Sequence, residues 1–248
     1  MGIVEHLGDH VRALDTATNA RTLDIRVGPF WIAIRTSVGT GMASTMARDA
    51  RPHERVPVTD AGRLHRLSPL ELTHLLHARS PTEAAIGLAA TNALIGAPAG
   101  TVTSDKALDI LIERGRGRTV AMIGRFPFAE SLRPVCQRLL VFERGGHGRR
   151  EDHTTHEIPS LLPSAEIVAI TATTLLNGTI DDVLPHVANN AWTMMLGPST
   201  PMTPILFEHG FDALCGTLVE DPAAVLAAVS EGAVTKQIGG VRRLCLWR

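Results

Sequence analysis

Apolar positions in the first hundred residues follow two different periods. Ile3, Leu7, Val11 and Leu14 recur at helical spacing, so residues 3 to 20 are read as an amphipathic first helix. From Thr22 to Met46 the pattern changes to that of short strands. TLDIRV, PFWIAIRT and TGMASTM, broken at Gly28-Pro29 and Val38-Gly39, predict an antiparallel meander. Residues 48 to 67, rich in Arg, Pro and His, read as a loop. Ser68-Pro69 with Glu71 makes a helix start for LELTHLLHARS, and Ser80-Pro81-Thr82-Glu83 does the same for TEAAIGLAATNALIG.

After residue 101 strands and helices alternate. The expected strands are TVAMIG (119 to 124), LLVFER (139 to 144), EIVAIT (166 to 171), AWTMML (191 to 196) and DALCGTLV (212 to 219). Helical stretches are expected near 105 to 113, 129 to 138, 155 to 162, 178 to 189 and 203 to 209, with a last one near 221 to 231. Apolar strands joined by crossover helices imply a mainly parallel sheet buried on both faces. The Pro/Gly break GAPAGT puts a boundary near residue 100. The class is α/β, with a small α+β domain over 1 to 100 and a Rossmann-like domain over 101 to 248.

Two strand ends draw the chemistry together. ITATTLLNGT (170 to 179) and LGPSTPM (196 to 202) each turn from an apolar run into hydroxyl, amide, Gly and Pro residues. Open α/β sheets place ligands at such carboxyl ends. Thr173, Thr174, Asn177, Thr179, Ser199 and Thr200 supply short polar groups without net charge, and a helix start there would favour an anion. The plainer alternative is that Asn177 or Thr179 only caps the helix that follows.

Composition narrows the function classes. The chain of 248 residues is 44% hydrophobic with net charge -1, so no overall pull towards nucleic acid or anionic membrane is expected. The absence of Tyr and an aromatic content of 4% argue against base-stacking surfaces. No apolar run has the length that spans a bilayer, and no secretory signal is read. Cys136, Cys215 and Cys245 form no CxxC, and a reduced, cytoplasmic setting is expected.

Individual candidates are few. Gly124 follows the first strand of the second half, but Arg125, Phe126 and Pro127 would crowd a pyrophosphate, which disfavours ordinary NAD binding. Glu143, 19 residues later, stands where a ribose or another polar group is often received, or is simply a solvent-facing strand-end carboxylate. His153 and His156, flanked by Glu151 and Asp152, have metal-ligand types, though a solvated loop has the same composition; no metal ligand is assigned. His74 with His77, and His6 with His10, are paired on helices as edge-of-core residues. Cys136 is expected on a helix facing the sheet, and Asn92 is a lone amide in an apolar helix, facing either the cleft between the halves or a structural partner.

The order AATNAL, MIGRFPF, VFER, AEIVAITATTLLNGT and LGPSTPM, ending in HGFDALCGTLVEDP, resembles the putative heavy-metal chelation domain family. That resemblance implies an enolase N-terminal-like domain followed by a Rossmann-like domain, with a cleft between them. Carried over by position, the lining would be Asn92, Gly124, Phe126, Pro127, Glu143, Thr171, Thr173, Asn177, Thr179, Gly197, Pro198 and Ser199. Ala172 stands where the family often has Gly. The expected function is binding or transforming a small anionic, amino-acid-like metabolite. Glu143 and Asn177 are the catalytic candidates, and Asn92, Arg125, Phe126, Thr173, Thr179 and Ser199 the substrate contacts. An enzyme would be a lyase or transferase. The alternative is a non-catalytic protein that binds heavy metal or a metal chelator. No cofactor is fixed, although a pterin, flavin or adenosyl ring would pack on Phe126. The expected partner is a small molecule rather than nucleic acid or membrane, and a homodimer or related-subunit oligomer follows only from the frequency of such assemblies.

Overall fold

A computed structural model describes residues 1 to 46, 58 to 144 and 152 to 248. The first half of the expected loop at 48 to 67, and Glu151, lie outside the described residues. The meander forms as expected: β1 (Thr22–Val27), β2 (Trp31–Thr36) and β3 (Thr40–Ser44) pair antiparallel in that order. It is preceded by α1 (Ile3–Arg12), which buries Ile3, Leu7 and Val11, and by the single turn α2 (Asp15–Thr18). Ser68 caps α3 (Pro69–Thr73) in a reciprocal box with Glu71, and Ser80 caps α4 (Pro81–Ile95).

α4 is apolar on every side and buried along nearly its whole length, the signature of a helix enclosed by other elements. One side lies on β2 and β3, so closely that a Cβ on Gly41 would stand 2.1 Å from the Ala89 carbonyl oxygen. Gly87 meets the backbone of Leu76 with the same intimacy. The outer face of the meander is closed by α9 (Pro222–Ser230), far away in sequence, through Val225, Leu226 and Val229 against Trp31, Ala33 and Met42.

The second half builds an eight-stranded, mostly parallel sheet. Its members are β4 (Thr101–Thr103), β5 (Thr119–Ile123), β6 (Arg138–Glu143), β7 (His153–Thr154), β8 (Ile167–Thr171), β9 (Trp192–Leu196), β10 (Ala213–Val219) and β11 (Val241–Trp247). Their spatial order is β4-β11-β10-β9-β8-β5-β6-β7. The six strands from β10 to β7 run parallel, whereas β11 and β4 are antiparallel additions. Numbered along the chain, the parallel strands follow the doubly wound order 3-2-1-4-5-6, so the connections reverse direction between β5 and β8.

Side chains alternate between two cores, as the pleat requires. Ala121, Ile123, Val168, Ile170 and Met195 face the meander, α1 and α4. Val120, Met122, Ile167, Ala169 and Met194 face α5 (Ala107–Gly115) and its neighbours. The first hundred residues therefore occupy the face that crossover helices usually cover, and one continuous core joins the two sheets. Among the described residues no helix is long and apolar enough to cross a membrane.

Several helices expected from periodicity do not form. Residues 129 to 138 yield one 3₁₀ turn, Ala129–Ser131, because Pro134 interrupts any longer ladder. Cys136 thus lies in a turn and not on a helix, and burial pushes its thiol up. Residues 155 to 162 break into 3₁₀ turns around α6 (Ile158–Leu161), with Pro159 and Pro163 in the chain. The expected helix at 178 to 189 is the single turn α8 (Ile180–Val183) and a 3₁₀ turn containing Pro185.

β11 also sets Cys245 directly opposite Cys215 of β10, and the two sulfurs are bonded. This pairing of cysteines 30 residues apart corrects the expectation of reduced thiols, and no sequence spacing announces it. Closing a loop of that size is worth roughly 3 to 4 kcal/mol on a chain-entropy basis. Dithiothreitol is expected to lower the urea midpoint of the protein and to leave a Cys215→Ala/Cys245→Ala double variant unchanged. Equal response of the two would show that the bond carries no stability.

Candidate functional site

A cleft of about 930 Å³ opens at the carboxyl ends of β5, β6 and β8, where the strand order reverses. Its floor is made by the strand tips and by α7 (Thr173–Leu176), which follows β8 at once. Six of the eight expected site residues line it: Arg125, Phe126, Glu143, Thr173, Asn177 and Thr179. The opposite wall comes from the first half, with Phe30, Trp31, Ser44 and Met46, and is completed by Val234 and Thr235 beyond α9. Asp182 and His186, one helical turn apart after Asn177, also reach it.

Glu143 is held by its own neighbourhood. Its Oε2 accepts from the Arg125 backbone N–H at 2.8 Å, and its Oε1 from the Arg144 N–H at 2.9 Å. The first bond ties the tip of β6 to the tip of β5. Both carboxylate oxygens keep a second lone pair for a ligand donor. A glutamine could satisfy only one of these amides, so a clean Glu-to-Gln exchange is not available here.

Gly124 makes the close approach that the floor needs. It has φ +88°, and a Cβ there would lie 2.7 Å from Thr171 Cγ2. Thr171 Oγ1 shares a 3.0 Å hydrogen bond with Thr173 Oγ1, and Thr174 Oγ1 donates to the Thr171 carbonyl at 2.7 Å. Asn177 is turned inward on its own loop, since its Oδ1 accepts from both the N–H (3.1 Å) and the hydroxyl (2.7 Å) of Thr179, and neither residue's side chain caps the helix turn that follows. That Asx turn, with Gly178 at φ +71°, shapes the loop before α8. Both helices at this floor are single turns, too short for a strong macrodipole, so the anion preference argued from helix starts loses its physical support. Ala172 sits at φ -62° with its side chain buried, so alanine fits without strain.

Arg125 is committed elsewhere. Its guanidinium bonds Glu130 at 3.1 Å and lies 3.0 Å from Asp152, whose side chain is almost fully buried. The Arg125 side chain thereby braces the cleft wall between β5 and β7. Phe126 stacks on Phe128 with centroids 5.5 Å apart and rings 13° from parallel.

Asn92 and Ser199 do not line the cleft. The Asn92 amide donates to the carbonyls of Met42 and Ser199, each at 3.0 Å, and the Ser44 N–H donates to Ser199 Oγ at 3.0 Å. These bonds clasp β3 and α4 to the loop after β9. Short polar groups in apolar surroundings bond one another before they reach a ligand. The remaining Asn92 acceptor, Oδ1, has no partner among the described residues.

The histidine pairs separate. His153 is on β7 and its Nδ1 bonds Glu157 Oε1 at 3.0 Å, a bond that, with the Thr154 amide, lowers the Glu157 carboxyl to about 2. His74 and His77 are exposed. His6 Nδ1 meets His209 Nε2 at 2.9 Å, and His10 Nε2 bonds Thr203 Oγ1 at 3.0 Å, which fastens α1 to the 3₁₀ turn Pro204–His209. His209 was not singled out in the sequence because it lies about two hundred residues from its partner. Among the described residues no group of three or more His, Cys, Asp or Glu side chains converges to hold a metal ion. A preformed metal cage is therefore not seen among the described residues.

Burial first, and then the neighbouring His6, lower the affinity of His10 and His209 for protons, while Glu208, and for His209 also Asp181, oppose this. The unfolded chain binds these protons first, so stability is retained above the ordinary value of 6.5 and lost as pH falls through and below it. Urea midpoints measured from pH 8 to pH 5 are expected to fall more steeply for the wild type than for His209→Gln. Parallel profiles would remove His209 from the acid response.

Two family models match the chain, at residues 106 to 247 and 10 to 95, and both carry the description "Putative heavy-metal chelation". Two solved structures share the fold across its whole length. One, a protein of unknown function from the DUF364 family of Desulfitobacterium hafniense, has a TM-score of 0.84 at 24% identity, covering 99% of this chain and 98% of that one. The other, of unknown function and the same family from Pyrococcus horikoshii, has a TM-score of 0.84 at 18% identity, covering 100% of both chains. No curated protein matches the sequence.

Proposed function

Since the chain belongs to the family described as "Putative heavy-metal chelation", and its switch-point cleft is lined by an oriented carboxylate and hydroxyls, we propose that it binds or transforms a small polar metabolite there. The observation that carries this is the position of Glu143, Thr173 and Thr179 around one cavity at the reversal of strand order. Amino-acid-like molecules with carboxylate, amine and hydroxyl groups are both the natural guests of such a lining and the usual makings of a metal chelator. Heavy metal then enters as cargo of the bound organic ligand, not as an ion caged by protein side chains.

In a catalytic version, Glu143 takes or gives a proton on the ligand and Asn177 keeps Thr179 aimed at it, as a lyase or transferase would need. The anionic character of the ligand rests on Thr173, Thr179 and backbone N–H groups alone, without help from a long helix. Native mass spectrometry of the purified protein tests the proposal. A retained small molecule that is released by Gly124→Ala supports it. Absence of any retained or added metabolite in that cleft, by the same method, ends it. The family description favours a second reading, direct metal binding, and equilibrium dialysis against nickel, cobalt, zinc and copper decides it by stoichiometric uptake at neutral pH.

A further inference from the structure

The cleft can be read one step further, on the premise that it is the ligand site. We propose that its ligand carries a ribose and no phosphate at the Glu143 end, that is, a nucleoside or a 5′-substituted nucleoside whose vicinal hydroxyls bond Glu143. Glu143 ends β6, the neighbour of β5 on the side away from β8. In a doubly wound sheet that place suits an acceptor for ribose hydroxyls. Here the carboxylate is fixed by one backbone N–H on each oxygen, at 2.8 Å and 2.9 Å, so both oxygens face a ligand with one lone pair to spare. An ionised carboxylate only accepts, and two hydroxyls on adjacent carbons present two donors at a matching spacing.

The walls beside it suit a planar ring. Phe126, backed by its stack on Phe128, and Ile158 with Pro159 offer apolar surface next to Glu143. The same stretch excludes a dinucleotide pyrophosphate. Gly124 is followed by Arg125, Phe126 and Pro127 and then by a 3₁₀ turn, so no glycine-rich loop leads into a helix there. The nearby Arg125 guanidinium is bonded to Glu130 and Asp152. A cavity of about 930 Å³ exceeds what a nucleoside fills and leaves room towards Thr171 and Thr173 for a 5′-substituent.

Calorimetric titration with adenosine, guanosine, cytidine and uridine, each beside its 2′-deoxy and 3′-deoxy form, tests this without altering the protein. At least one ribonucleoside is expected to bind, and removal of either hydroxyl to weaken it about tenfold or more, as loss of a hydrogen bond to a charged acceptor does. Glu143→Asp, checked for folding by circular dichroism, is expected to weaken the ribonucleoside and leave the deoxy forms less affected. If no ribonucleoside binds at millimolar concentration, or ribose and deoxyribose forms bind alike, the inference is overturned. The cleft reading survives that result when native mass spectrometry finds a non-ribosyl molecule released by Gly124→Ala, and fails with it when no such molecule is found.

Discussion

Gly41→Ala is expected to leave little soluble, folded protein. The added methyl would sit 2.1 Å from the Ala89 carbonyl oxygen, 2.3 Å from the Ala93 nitrogen and 2.8 Å from the Asn92 carbonyl carbon. All three are backbone atoms of α4, so no flexible side chain can swing aside. Relief requires β3 and α4 to separate, and that opens the core shared by Ile34, Ala43, Ala85 and Ala89. Overpacking commonly costs about 1 to 3 kcal/mol, and a clash between two backbones belongs at or above the top of that range. Against a native stability of roughly 5 to 15 kcal/mol this is a large share. Gly239→Ala is the control, because its Cβ would have open space, and it should change the urea midpoint little. A Gly41→Ala protein with a wild-type midpoint would mean that the helix does not sit on the strand as described.

Gly124→Ala should have the largest effect on the site while sparing most of the fold. Alanine at φ +88° carries backbone strain of about 1 to 2 kcal/mol, and its methyl meets Thr171 Cγ2 at 2.7 Å. Thr171 must turn away, which breaks its hydroxyl bond to Thr173 and disturbs the cleft floor. Ligand retention is expected to fall at least about tenfold, the consequence of losing roughly 1.4 kcal/mol of binding. Thr171→Ser removes the clashing methyl yet keeps the hydroxyl. The double variant Gly124→Ala/Thr171→Ser should therefore recover part of the loss. If it binds no better than Gly124→Ala, strain and not the Thr171 contact dominates; if Gly124→Ala itself binds like wild type, the strand tip is not part of the site.

Both effects arise where a backbone is approached closely, which a sequence displays only as a glycine among many. What was legible had a period. The meander and five of the six parallel strands announce themselves through apolar runs between turn residues, and α3 and α4 through Ser-Pro starts, whereas the two-residue β7 does not. The segments expected as helices contain Pro134, Pro159 and Pro185, and their apolar spacing hid the breaks that proline favours. β11 escaped because VRRLCLW does not alternate cleanly: Arg242 and Arg243 are both exposed and Leu244, Cys245 and Leu246 are all buried. That Glu143, Thr173, Asn177 and Thr179 share one cleft lining was legible, since adjacent parallel strands end side by side and the chain after β8 stays close to its tip. Phe30, Met46 and Val234 were not found, because they come from another part of the chain and nothing local marks them. Asp182 and His186 offered a signal, four residues apart just after Asn177, that went unused.

The clasp made by Asn92, Ser44 and Ser199 bears on which molecules can enter. It bolts the first half of the chain to the β9 tip beside the opening, so the jaws of the cleft are set like a caliper locked at one reading. If the cleft binds as proposed, discrimination between guests is expected to fall on their width more than on a closing motion. Variants that loosen the bolt, far from any ligand atom, should broaden the range of sizes admitted before they weaken the grip on the preferred one.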